Sequence, residues 1–111
     1  MTTDQGSVKI LTIYVDDGDR HNGRPVHEAL LELFLSHRIS GATLFRGIAG
    51  YGSDKVFHTP KLLRLTEDMP LKIEVIETDE KIQEIIPEVK RIMEKGIVTM
   101  SDAVVVHAPE K

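Results

Sequence analysis

The apolar residues of this chain fall into six segments. Their spacing changes between strand-like alternation and a helical stripe in the order strand, helix, strand, strand, helix, strand. Leu71 to Ile76, Leu-Lys-Ile-Glu-Val-Ile, is the plainest strand: Leu71, Ile73 and Val75 point one way, Lys72 and Glu74 the other. Val8 to Val15 is β-branched and partly alternating. Ala42 to Ile48 reads as the second strand. Ile97 to Met100 and Ala103 to Val106 read as the last, interrupted at Ser101-Asp102 in the manner of a bulge.

Between the strands lie two stripes. Val26, Ala29, Leu30, Leu33 and Phe34 form one, and Ile82, Ile85, Ile86, Val89, Ile92 and Met93 the other. Pro25 suits the first turn of the first helix, where its missing N–H is no loss, and Gly41 is expected to close that helix as a left-handed cap. Thr78 is the expected N-cap of the second helix, Asp79 and Glu80 suit its positive end, and Gly96 ends it. Pro87 removes a hydrogen bond and crowds the preceding turn, so a kink or a break into two pieces is expected there.

Two amphipathic helices cover only one face of a four-stranded sheet. The expected class is α+β, a ferredoxin-like βαββαβ fold with a four-stranded antiparallel sheet and both helices on one face. At 111 residues the chain reads as a single domain, 1–111, because half of it would bury too small a core. The strands carry few charges with which to wet the second face, so oligomerisation is expected to cover it.

A net charge of −4 and the lack of a basic run exclude nucleic acid as an expected partner, since phosphate neutralisation supplies most of that affinity. With no cysteine there is no thiol chemistry and no Cys-ligated zinc. The polar N-terminus lacks the apolar core of a secretion signal, and no apolar run is long enough for a membrane span. A cytoplasmic location without direct membrane insertion is the expectation.

Gly41-Ala42-Thr43-Leu44-Phe45-Arg46-Gly47-Ile48-Ala49-Gly50-Tyr51-Gly52 is the most informative stretch. Glycines on both sides of an aromatic allow a sharp turn and bring N–H groups close to a phosphate, although the same residues also end an ordinary strand. The loop from Ser53 to Lys61 carries Asp54, Lys55, His58 and Lys61, able to close over an anion or to remain a solvated surface. Arg46, inside a strand, requires a carboxylate, an anion or solvent at an edge. Arg20 and Arg24 precede the first helix, whose N-terminus favours anions. None of His21, His27, His37, His58 and His107 forms a metal-binding helical pair, and the serines sit in no nucleophile motif. No enzyme activity and no metal are expected.

Gly41-Ala42-Thr43 leading into Gly50-Tyr51-Gly52 resembles the Gly-x-Thr…Gly-Phe/Tyr-Gly pattern of PII signal-transduction proteins, and Pro70 to Ile76 resembles their third strand. Phe45-Arg46-Gly47-Ile48-Ala49-Gly50-Tyr51-Gly52 is more similar still to a group of short PII-like proteins of uncharacterised function. The resemblance implies a homotrimer with ATP or ADP in clefts between subunits, and a loop after the second strand that touches a regulated partner. Carried over by position, Thr43 reaches toward a neighbour's ligand, Gly50, Tyr51 and Gly52 line the cleft, and sheet-edge residues near Met100 complete the adenine pocket. Arg46, Gly47, His58 and His107 are the remaining candidate ligand-binding residues.

This chain departs from the PII pattern in three places. Lys95-Gly96-Ile97 is shorter than the PII phosphate loop, Ala103 to Val106 lacks the arginines of the last strand, and the loop from Ser53 to Lys61 has no tyrosine. Because charge-assisted contacts hold phosphates best, AMP or ADP is expected to bind better than ATP. Two other readings remain open: a ligand-free regulatory subunit docking on a membrane transporter, and a small acylphosphatase-like hydrolase using Arg20 or Arg24.

Overall fold

The computed structural model describes residues 6–50 and 69–109. Strand β1 (Ser7–Asp16) leads through two short strands, β2 (Arg20–His21) and β3 (Arg24–Pro25), into helix α1 (Val26–Ser36). Then follow β4 (Gly41–Arg46), β5 (Pro70–Glu77), α2 (Asp79–Ile92) and β6 (Ile97–Val104). The four long strands make one antiparallel sheet in the order β4-β5-β1-β6. This is the expected α+β ferredoxin-like arrangement, with a two-residue ladder added before α1.

The core lies between one face of the sheet and the two helices. The central strands supply Leu11, Ile13 and Val15 from β1 and Leu71, Ile73 and Val75 from β5. Helix α1 adds Val26, Leu30 and Phe34, and α2 adds Ile82, Ile85, Val89 and Ile92. All are buried, and each such side chain contributes about 1.5–3 kcal/mol relative to exposure. The helical stripes expected from spacing are therefore the ones buried, with Ala29, Leu33, Ile86 and Met93 packed at their margins.

Helix ends follow local chemistry, with two corrections. Thr78 caps α2, its side chain accepting from the Lys81 N–H at 3.4 Å, and Asp79 and Glu80 occupy the first turn. Pro25 sits one position earlier than expected, as the N-cap of α1. Gly41 does not cap α1. The helix ends at Ser36, Arg38 takes the left-handed conformation at φ 57°, and Gly41 opens β4 opposite Ile76. Arg38 N–H donates to Leu35 O and Ile39 N–H to Phe34 O, both at 3.0 Å, which is the Schellman closure with Ile39 as its apolar contact.

Two further expectations are corrected and a third is narrowed. β4 ends at Arg46, two residues short of Ile48, where Gly47 N–H turns to donate to Pro70 O at 2.7 Å. β6 is continuous through Ser101 and Asp102, which pair in register with Ile10 and Lys9, so there is no bulge; Asp102 also forms an ion pair with Lys9. Of the kink or break expected at Pro87, the break does not occur: α2 is a single helix through it. Pro87 and Gln83, whose carbonyl loses its donor, both lie on the exposed face, so water can satisfy that carbonyl.

Candidate functional site

Antiparallel pairing brings Asp16 opposite Pro70, Arg46 opposite Leu71 and Tyr14 opposite Ile97, so the connections that follow β1, β4 and α2 start or end at one end of the sheet. There Asp17 N–H donates to Met69 O at 2.9 Å, beside the Gly47–Pro70 bond. A Cβ at position 47 would lie 2.9 Å from Pro70 Cγ, so the close approach of these two segments requires glycine. Gly96, at φ 108°, enters β6 where a Cβ would lie 2.4 Å from the Tyr14 carbonyl oxygen.

The charges at this end are largely committed to one another. Arg46, half-exposed, donates to Asp17 Oδ2 at 2.9 Å, so the strand arginine finds a carboxylate. Asp19 is nearly buried; its Oδ2 accepts from Asp16 N–H at 3.0 Å and its Oδ1 lies 3.5 Å from Lys95 Nζ. Arg24 makes a bidentate pair with Glu32 at 2.8 and 2.9 Å, which raises the arginine's pKa and lowers the carboxylate's. Arg20 donates to two backbone carbonyls, Asp17 O and Asp19 O, at 3.2 Å each. Gly18, Asp19, Arg20, Val26, Glu94 and Lys95 line an open cavity of about 180 Å³ between the short ladder and the end of α2.

The candidate residues divide by place. Arg46, Gly47 and Gly50 stand together at this end, the last two against Pro70. Thr43 lies one step down β4 on the helix-free face, opposite Glu74. Met100 lies on β6, opposite Leu11 and 42% exposed, on the other edge of the sheet. Three strand spacings, about 14 Å, separate β4 from β6. His107 follows β6 at the far end, where Val105 N–H meets Gly6 O, and so joins neither group. Tyr51, Gly52 and His58 lie outside the described residues.

Sequence reasoning missed the partners of these residues: Asp17, Asp19, Pro70 and the short ladder from Arg20 to Pro25. The ladder had a signal in Asn22-Gly23, a pair suited to the two left-handed positions of a tight hairpin; they take φ 52° and 83°.

Comparison with known proteins gives a consistent picture. The pattern of the DUF190 family (Uncharacterized ACR) matches residues 8–105. A UPF0166 protein of Aquifex aeolicus is 34% identical over 99 residues, covering 89% of this chain and 93% of that protein. A UPF0166 protein of Methanocaldococcus jannaschii is 31% identical over 95 residues, covering 85% and 87%. Among solved structures, CPII of Thiomonas intermedia K12 bound to ADP and bicarbonate superposes with a TM-score of 0.67 at 17% identity, covering 92% of this chain and 91% of that one. The same protein bound to ADP, AMP and acetate gives 0.63 at 17% identity, covering 87% and 86%. At that identity the likeness is one of fold.

Proposed function

The chain belongs to the DUF190 family, and from that premise we propose that it is a PII-like signalling protein, not an enzyme. In this reading it binds AMP or ADP in preference to ATP, in clefts between the subunits of a homotrimer. The observation that carries the reading is the fold shared over about nine-tenths of the chain with a protein solved with ADP, and with ADP and AMP. The division of the candidate residues between the two edges of the sheet supports a shared cleft. One copy alone cannot gather Thr43 and Met100, whereas two neighbours joined edge to edge can.

The preference for fewer phosphates rests on the charges. Among the described residues, Arg46, Lys95 and Arg24 already answer carboxylates, so these three cations are poorly placed to hold a triphosphate as well. The segment from Ser53 to Lys61 is the part of the chain this reading assigns to a protein partner, with a membrane transporter as the class of partner. No described helix is long and apolar enough to cross a membrane, so such contact runs through protein.

Isothermal titration of the purified protein with AMP, ADP, ATP and cyclic nucleotides tests the proposal. Saturable heats with AMP or ADP, at least tenfold tighter than with ATP, are expected. A flat response to every nucleotide sinks it.

A further inference from the structure

The turn that follows β1 is pinned by hydrogen bonds to its own backbone. Asp17 N–H donates to Met69 O at 2.9 Å, Asp19 N–H to Asp16 O at 3.1 Å and Val26 N–H to Asp19 O at 2.9 Å. Arg20 adds two bonds, to Asp17 O and Asp19 O, and Asp19 Oδ2 accepts from Asp16 N–H. These bonds fix where the two carboxylates of Asp17 and Asp19 stand.

Each carboxylate meets a cation from another segment. Asp17 Oδ2 accepts from Arg46, at the end of β4, at 2.9 Å, and Asp19 Oδ1 lies 3.5 Å from Lys95 Nζ, just before β6. The two aspartates differ in what else they do. Asp19 is tied into the turn through Oδ2, whereas the Asp17 side chain accepts no backbone N–H among the described residues. The fold of the turn therefore does not need the Asp17 charge. The Asp17 side chain is 27% exposed and that of Arg46 52%, so an anion arriving from solvent can compete for the guanidinium.

Carboxylate and phosphate oxygens offer a guanidinium the same charged acceptor. A phosphate that takes Arg46 must displace Asp17 and then stand beside a like charge that the turn holds in place, which costs affinity. A longer phosphate chain brings more negative charge to that position, so the cost rises with its length. We infer that, given the nucleotide reading above, Asp17 is a specificity-determining residue: a built-in anion on Arg46 that selects short phosphate chains over long ones.

Isothermal titration of wild type, Asp17→Asn, Arg46→Ala, their double variant and Glu84→Gln with AMP, ATP and inorganic tripolyphosphate tests this, at low and high salt. Glu84 lies on the exposed side of α2 and controls for net charge. Far-UV circular dichroism checks folding, and Asp17→Ser is a second neutral variant. Asp17→Asn is expected to bind ATP and tripolyphosphate about fivefold or more tightly than wild type, and AMP within about twofold. The gain should shrink at high salt and vanish when Arg46 is alanine. An ATP-to-AMP ratio unchanged in both Asp17 variants overturns the inference and leaves the nucleotide reading standing. The same gain in Glu84→Gln or in the double variant also overturns it, because net charge alone would then explain the effect. If no nucleotide binds wild type, the sensor is lost and tripolyphosphate decides. Tighter binding to Asp17→Asn than to wild type keeps Asp17 as the built-in anion, and equal or absent binding removes it.

Discussion

Glu77 is the most deeply buried charged residue described, at 4% exposure, and it ties the start of β4 to the start of α2. Burial alone would raise its pKa, but the carboxylate accepts from Ser40 Oγ at 2.7 Å, Thr78 N–H at 2.9 Å and Ser40 N–H at 2.7 Å, with Lys81 nearby. The net effect is a pKa below the usual carboxylate value. A depressed folded-state pKa contributes stability that is present above the unfolded-state value. It is lost as pH falls from there through the folded-state value. Wild-type melting temperature should therefore fall on acidification below about pH 4.3, the unfolded reference. Glu77→Gln should be less stable at pH 7, with a flatter acid limb, as read by thermal scans across pH; parallel limbs would contradict this role. Arg38 makes the opposite case. A non-glycine residue in the left-handed conformation costs roughly 1–2 kcal/mol, part of which glycine returns as chain entropy. Arg38→Gly should stabilise the protein by about 0.5–1 kcal/mol in urea unfolding.

At the scale of elements, α2 shows how packing overrides a local rule. Four buried residues, Ile82, Ile85, Val89 and Ile92, hold the helix against the sheet on both sides of Pro87, while the proline faces solvent. Proline in a helix interior costs roughly 3 kcal/mol relative to alanine, and part of this is offset because it also restricts the unfolded chain. Pro87→Ala should raise unfolding free energy by about 1–3 kcal/mol. No change would mean that the helix has already adjusted to the missing donor. The stripes of both helices and the alternation of β5 were legible because periodicity reports which side is buried. Boundaries were not. Gly41 looked like a helix cap and Ser101-Asp102 like a bulge, but the first is set by hydrogen bonds from Arg38 and Ile39 and the second by pairing with β1. Neither partner is local in composition: a cap is decided by backbone geometry, and a strand by its neighbour.

For the molecule as a whole, the order of elements and the burial of one sheet face follow from six apolar segments and two helical stripes. The strand order β4-β5-β1-β6 is a different matter, because spacing along a chain says nothing about which edges end up apart. It is this order that puts Thr43 and Met100 on opposite edges, and it is antiparallel register that gathers Arg46, Gly47, Asp17 and Pro70 at one end. Register also aligns Phe45, Lys72, Tyr14 and Ile97 into a row from four distant segments. The sequence by itself determined the class of fold and the core, since those depend on local hydrophobic period. Only the tertiary structure decided which charges answer one another. Electrostatic pairing is a matter of a few ångströms through space and carries no signature along the chain.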